Sequence, residues 1–266
     1  MNSRGRAGVV ATALLTASCA GPLMKLPEGP GEPATDAAAA MAAATSSCRA
    51  VSSMVAEVSV RGSLGGRRVR GRLHLGLAPP ASARLEAVAP FGQPLFVFVA
   101  FNGRSTLLLT RENRVLEHDA PESVLEAIAG VPLDPLALRT ALTGCVVAPA
   151  IERATRLGED WRVVPDGARL VYLRRQGRQG PWRLVAAVYR ESRRPEWRAA
   201  YDEFQGGLAR RIHLASSDRN RFDLRLDLSQ VDLNVALGAD AFQVRIPPTA
   251  EPISLDELRR SGPLAE

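Results

Sequence analysis

The stretch RLEAVAPFGQPLFVFVAFNGRSTLLLTRENRVLEHDAPESVLEAIAGVPLDPLALRTALTG, residues Arg84–Gly144, decides how the chain is read. Its first half falls into apolar, strand-like runs, Arg84 to Val88, Leu95 to Phe101, Ser105 to Thr110 and Asn113 to Glu117. Pro90-Phe91-Gly92, Asn102-Gly103 and Arg111-Glu112 separate them, and short runs punctuated in this way predict a meander of antiparallel strands. After Pro121 the period changes. Apolar residues fall at Val124, Leu125, Ile128 and Ala129, then at Leu136, Leu138 and Leu142. That spacing predicts two helices, with Gly130 and Gly144 as stops and Asp134-Pro135 as a second start. A meander that hands directly to a helical hairpin predicts an α+β fold. We expect one strongly curved antiparallel sheet, an open half-barrel of about eleven strands, with about three helices covering its concave face.

Upstream, Val55 to Val60 and Val69 to Leu77 read as strands joined by a glycine-rich turn. In the second, Val69, Gly71, Leu73, Leu75 and Leu77 alternate with Arg70, Arg72, His74 and Gly76, which places one face on the core and the other, with His74, in water. Before them, Asp36 to about Met54 predicts a helix, with Asp36 able to cap an alanine-rich start. Met41, Ala44, Cys48, Val51 and Val55 would form its apolar face. Downstream, alternating runs predict strands at Trp161 to Val164, Leu170 to Leu173, Arg183 to Tyr189, Glu196 to Tyr201, Leu208 to Leu214 and Arg221 to Leu228. Phe242 to Ile246 reads as a last strand, stopped by Pro247-Pro248, and Ser254 to Leu258 as a short helix. Ala148 to Leu157 has no clear period and reads as a connection with a helical turn.

The chain has 266 residues, 46% of them hydrophobic and 23% charged, enough for one sizeable core. Lys25 is the only lysine, and removing a leader that carries Arg4 and Arg6 lowers the formal charge from +6 to +4. With no zinc-finger, helix-turn-helix or RNP-like pattern, that mild excess does not point to nucleic acid.

At the N-terminus, Arg4 and Arg6 precede an apolar run from Ala7 to Ala17, well short of the roughly 20 residues that span a bilayer. Residues 1–18 therefore read as a secretory signal peptide. Leu15-Thr16-Ala17-Ser18-Cys19 resembles a bacterial lipobox, with Thr16 as its departure from the commonest form. The resemblance implies that Cys19 receives a diacylglyceryl group and becomes the new N-terminus, and Ala20 after it implies transfer to the outer membrane. Acyl chains add about 0.8 kcal/mol per buried methylene, so several on one cysteine anchor firmly. Residues 19–35, rich in Pro and Gly, read as a flexible tether, 36–246 as the folded domain and 247–266 as a tail.

The order of parts resembles the LolA/LolB group of bacterial lipoprotein carriers. The resemblance rests on the loop Ala89-Pro90-Phe91-Gly92-Gln93 and on Val124-Leu125 with Gly130-Val131-Pro132-Leu133 and Leu138 to Gly144. Trp197-Arg198-Ala199-Ala200-Tyr201 and the closing strands Arg210 to Leu214 and Phe222 to Leu228 extend it. It implies a non-catalytic, LolB-like protein on the periplasmic face of the outer membrane. Such a protein takes acylated lipoproteins from a LolA-type carrier and inserts them in the membrane; nothing in the sequence argues against a monomer. The alternatives are a lipoprotein of the same fold that binds or senses another apolar ligand, and a structural envelope lipoprotein. An apolar interior suits acyl chains, and its candidate lining is Leu73, Leu75, Leu85, Phe96, Phe98, Leu107, Leu109, Ile128, Leu142, Trp161, Tyr172, Val188, Tyr201 and Phe222; plain core packing is the alternative for each. Phe91, between Pro90 and Gly92, matches the family's protruding loop whose apolar side chain contacts the membrane; folding back on the sheet edge is the alternative.

Chemical motifs are few. His74, His118 and His213 lie far apart, and no metal-ligand, Gly-x-Ser-x-Gly or phosphate-loop spacing occurs, so neither a metal nor another cofactor is expected. Asp223 and Asp227 share a strand face with arginines and read as a solvated charge ladder. Cys48 and Cys145 remain once Cys19 is lipidated, an even count in a compartment that permits disulfides. A bridge between them would close a loop of about a hundred residues and add on the order of 4 kcal/mol, the alternative being two buried thiols.

Overall fold

The computed structural model describes residues 23–89, 94–131, 133–146, 149–177, 179–190, 194–218 and 220–261; Cys19 and Phe91 lie outside the described residues. A two-residue strand β1 (Glu32–Pro33) and helix α1 (Ala37–Arg49) lead into a first meander. Its strands are β2 (Met54–Leu64), β3 (Arg67–Ala78), β4 (Ser82–Val88), β5 (Pro94–Phe101), β6 (Arg104–Leu109) and β7 (Arg114–Asp119). Helices α2 (Pro121–Ala129) and α3 (Pro135–Thr143) follow, then a 3-10 turn at Ile151–Arg153. The second meander contains β8 (Thr155–Leu157), β9 (Trp161–Asp166), β10 (Arg169–Arg175), β11 (Trp182–Tyr189), β12 (Trp197–Gln205), β13 (Leu208–Ser216) and β14 (Phe222–Leu233). A 3-10 turn at Ala239–Phe242, strand β15 (Glu251–Pro252) and helix α4 (Leu255–Ser261) end it.

These strands form one sheet in the order β1-β8-β9-β10-β11-β12-β13-β14-β2-β3-β4-β5-β6-β7-β15. Pairing is antiparallel except where β15 runs parallel to β7. The two meanders join along β14 and β2, from Phe222 opposite Leu64 to Leu233 opposite Met54. The edge strands β1 and β15 do not pair with each other, so the sheet is open. This order dictates the path of the helical hairpin. Strands β7 and β8 lie near opposite ends of the sheet, and α2 and α3 carry the chain from one to the other.

The sheet has 15 strands, more than the eleven or so that periodicity suggested, and four α-helices are present among the described residues. Strands β1, β8 and β15 are two or three residues long, too short to carry a period of their own. The strand expected at Phe242 to Ile246 is not one. Phe242 ends a 3-10 turn and stacks on Phe101 with ring centroids 6.3 Å apart, and the Arg84 guanidinium donates to the Gln243 carbonyl at 2.9 Å. Side chains therefore satisfy this segment in place of a strand partner. The pairing falls later, where the Glu251 and Ile253 N–H groups donate to the carbonyls of Asn113 and Val115 at 2.9 and 2.8 Å.

Local chemistry explains the helix ends. Gly130 and Gly144 adopt φ of 65° and 69° in the left-handed region, where glycine closes a helix without a Cβ penalty. Asp134 caps α3 by accepting from the Ala137 N–H at 2.6 Å. Asp36 holds the N-cap position of α1 but makes no capping bond, because Arg162 takes its carboxylate. The other end of α1 is fastened covalently: Cys48 and Cys145 form a disulfide with Cα atoms 5.6 Å apart, within the usual range.

Both faces of β9, β10 and β11 are covered. Val164, Val171, Leu173 and Leu184 enter the main core, against which α1 packs. Val163, Tyr172, Val185 and Val188 form a second cluster that Met24 and Leu26 cover. The segment expected to be a flexible tether thus lies on the sheet from residue 23 onward and adds β1 beside β8.

Candidate functional site: an apolar cavity beneath the helical hairpin

A cavity of about 240 Å³ lies between the first meander and the helical hairpin. Its floor is built by Val58, Val60 and Leu64 of β2, Val69, Leu73 and Leu75 of β3, Leu85 and Ala87 of β4, and Leu95 and Phe96 of β5. Its roof is Leu125, Ile128 and Ala129 of α2, Val131 and Leu133 of the connection, and Leu138 and Leu142 of α3. Leu214 of β13 with Leu224 and Leu226 of β14 close the far side. Val88, Arg70, Gly71, Arg72 and Arg111 complete the lining.

The open end of the void has a local cause. Gly71 pairs with Val60 and occupies the cavity-facing register between Val69 and Leu73, so the floor lacks one side chain. A Cβ added at Gly71 would meet no heavy atom within 4 Å. Pairing between β3 and β4 ends at Arg72 opposite Val88, leaving residues 69–71 beyond that ladder. Val60, Leu64, Val69 and Leu73 are half-buried there while Leu75 and Leu85 are buried, so the cavity deepens from this end inward.

At this volume the cavity exceeds the roughly 150 Å³ apolar hole that takes up benzene, and falls below the roughly 300–1,000 Å³ of pockets for drug-sized ligands. It suits a length of a single hydrocarbon chain. The lining gives such a chain area without directed hydrogen bonds.

Six of the expected lining residues, Leu73, Leu75, Leu85, Phe96, Ile128 and Leu142, meet at this cavity. Phe98, Leu107, Leu109, Tyr201 and Phe222 belong to the same core but are packed solid, none more than 3% exposed. Phe98, Leu107 and Leu109 lie on β5 and β6, where α2 closes down on β6, and Phe222 meets Trp197 edge to face at 6.1 Å. Trp161, Tyr172 and Val188 face the second cluster on the other side of the sheet. Phe91 lies outside the described residues; Val88 and Leu95, before and after it in the chain, line the cavity. Sequence reasoning missed Val60, Leu64, Val69 and Leu138, half-buried residues that a search for core positions passes over. Gly71 was the available signal, a glycine at an inward position of an otherwise apolar alternation.

Polar groups near the hairpin hold the roof in place. Arg139 of α3 donates to the Val51 carbonyl at 2.5 Å. Beside the disulfide, Arg169 pairs with buried Asp166 and donates to the Tyr189 hydroxyl at 3.2 Å and the Cys145 carbonyl at 3.4 Å. Burial pushes the Tyr189 hydroxyl up against the opposing effect of Arg169, and burial pushes Tyr201 well up, so both are neutral phenols at ordinary pH. On the other strand face, Asp227 accepts from Arg61 at 2.5 Å and from Arg211 at 2.8 Å, and His213 lies 2.7 Å from Asp223. Among the described residues no three His, Cys, Asp or Glu side chains group as metal ligands.

The sequence matches no protein-family model and no curated protein. Among solved structures, the chain is similar to a LolA superfamily protein from Nitrosomonas europaea, at 11% identity and a TM-score of 0.55 over 79% of this chain and 99% of that one. A putative outer membrane lipoprotein-sorting protein domain from Vibrio parahaemolyticus also matches, at 11% identity and a TM-score of 0.47 over 77% and 97% of the two chains. The class defined is therefore architectural: an open, mostly antiparallel sheet with helices laid across it, a fold similar to that of the LolA superfamily protein. The LolA/LolB-like resemblance read from the sequence holds at this level.

Proposed function

We propose that this chain is a non-catalytic, lipid-anchored carrier that seats an acyl chain under its helical hairpin and acts in outer-membrane lipoprotein localisation, at a LolB-like step. The apolar cavity, with its missing side chain at Gly71, supports this reading most directly. Cys19 is the lipid-bearing residue, residues 1–18 are the leader, and the anchor sets the protein on the periplasmic face of the outer membrane. No bond is made or broken; cargo moves down a gradient of affinity from a LolA-type donor through the cavity to the bilayer. Phe91, which the sequence sets between the cavity-wall residues Val88 and Leu95, is the side chain that touches the membrane.

Native mass spectrometry of the full chain released from a bacterial envelope, then challenged with an acylated lipoprotein, tests the proposal. A co-purifying lipid displaced one for one by the cargo is expected. A chain that stays empty and ignores acylated cargo would refute the carrier reading. For the membrane step, Phe91→Glu should leave the urea midpoint unchanged and slow transfer of bound cargo to vesicles several-fold.

A further inference from the structure

We infer that this cavity also takes a free anionic amphiphile, whose acid headgroup sits in an arginine-lined groove adjoining the apolar cavity. The inference rests on the acyl-chain cavity proposed above and adds a second ligand to it, since the acylated end of lipoprotein cargo has no acid headgroup. The groove, of about 510 Å³, lies across Leu64 and Ile128, two residues that line it and the apolar cavity alike. Arg67, Arg221, Arg259 and Arg260 line it, and among the described residues Glu126 is the one carboxylate in its lining.

The local charges are partly committed. Glu126 accepts from Arg221 at 3.2 Å and from Arg194 at 3.3 Å; Arg194 also meets Glu122 at 3.2 Å, and Arg259 meets Asp256 at 3.3 Å. Even so, the described residues of the groove wall include four arginines and one glutamate. Such a wall favours an anion, and guanidinium forks suit carboxylate or phosphate oxygens in particular.

The fold holds these groups in place. Helix α4 starts with a reciprocal cap: the Ser254 N–H donates to Glu257 Oε2 at 2.9 Å, and the Glu257 N–H donates to Ser254 Oγ at 3.2 Å. Leu258 is fully buried, which seats α4 so that Arg259 and Arg260 reach the groove. Arg67 is paired with Leu64 across the β2–β3 turn, and the Gly65 N–H donates to the Arg221 carbonyl at 2.8 Å.

An acyl chain has one polar end, and that end must leave an apolar cavity somewhere. Leu64 stands at the partition, half-buried and packed on Gly130, where a Cβ would lie 2.5 Å from its Cδ1. A chain passing this single flexible side chain delivers its headgroup directly among the arginines. A neutral amphiphile would gain nothing from them.

The test compares three ligands on the full chain by calorimetry: palmitoyl lysophosphatidic acid, monopalmitoylglycerol with the same acyl chain, and inorganic phosphate. The phosphate-bearing amphiphile should bind at least about tenfold tighter than the neutral one at low salt, with the gap closing as salt screens the groove. Arg67→Gln with Arg260→Gln should remove most of that preference and leave the neutral ligand's affinity unchanged; Arg260→Gln alone serves if the double variant does not fold. Equal affinities for the two amphiphiles would overturn the headgroup assignment and leave the cavity reading standing. Inorganic phosphate binding as tightly as the amphiphile would also overturn it, by marking a free-anion site. Failure of both amphiphiles to bind would remove the cavity reading and this inference with it.

Discussion

Arg162 grips Asp36 with two hydrogen bonds, Nε to Oδ1 at 2.6 Å and Nη2 to Oδ2 at 2.8 Å, and so ties the start of α1 to β9. The Arg162 side chain is only 7% exposed and also donates through Nη1 to the carbonyls of Trp161 and Glu159, at 2.8 and 3.1 Å. An alanine-rich helix has little side-chain bulk with which to hold itself on a sheet. Here its two ends are fastened instead, by this pair and by the disulfide at Cys48.

The Arg162 hydrogen bonds hold the Asp36 carboxyl below its ordinary value, against burial, which pushes it up. A carboxyl whose folded value is lowered stabilises the protein fully above the unfolded value, about 3.9, and that contribution is lost as pH falls through the folded value. Asp36→Asn should therefore lower stability by about 1–2 kcal/mol at pH 7, the low end for a charged hydrogen bond because Asp36 is half exposed. Urea midpoints at pH 7 and pH 3 check this, and a difference from wild type that does not shrink at pH 3 would contradict it.

Cys48 and Cys145 are 97 residues apart in sequence, so their bond constrains a long loop of the unfolded chain. Replacing both by Ser should cost about 4 kcal/mol in the chain-entropy description. Urea melts with and without reductant measure it: reductant should move the wild-type midpoint to that of the double variant and leave the variant where it is.

Gly71 leaves the hole in the cavity floor, in an extended conformation that any residue adopts. Gly71→Leu should fill the hole without loss of thermal stability and weaken binding of a fluorescent fatty acid by roughly tenfold, about 1.4 kcal/mol, by displacing the chain. Unchanged binding would place the ligand elsewhere.

Met24 and Leu26 cover the outer cluster of Val163, Tyr172, Val185 and Val188. Met24→Ala with Leu26→Ala should cost about 1–3 kcal/mol, since both side chains are half-buried. Hydrogen exchange should show the amides of β1 and β8 opening first; protection equal to wild type in both strands would rule out this docking.

Much of the architecture was legible because it is periodic. The runs in residues 84–119 and the helical spacing after Pro121 depend on local alternation, and each has its element in the structure. The stops at Gly130 and Gly144 depend on a backbone conformation that glycine adopts without penalty. The site was legible in part: Leu73, Leu75 and Leu85 alternate inward on strands that reach the cavity. Trp161, Tyr172 and Val188 were misplaced because β9, β10 and β11 are apolar on both faces, as in the continuous run Leu170-Val171-Tyr172-Leu173. Alternation separates two faces and does not say which one a distant segment will cover. The arginine groove had no sequence signature, since Arg67, Arg221, Arg259 and Arg260 come from three separate parts of the chain.

By itself, then, the sequence determined the longer strands of the two meanders and the helical hairpin, since those follow from side-chain period, glycine and proline within a few residues. Tertiary structure decided what the faces meet. Long-range packing laid Met24 and Leu26 on the outside of the sheet and brought β14 against β2. It also held the helical hairpin off the floor formed by β2 to β5, leaving a cavity there and solid packing around Phe98 and Leu107. A void depends on the distance between elements far apart in the chain, and local periodicity contains no information on that distance.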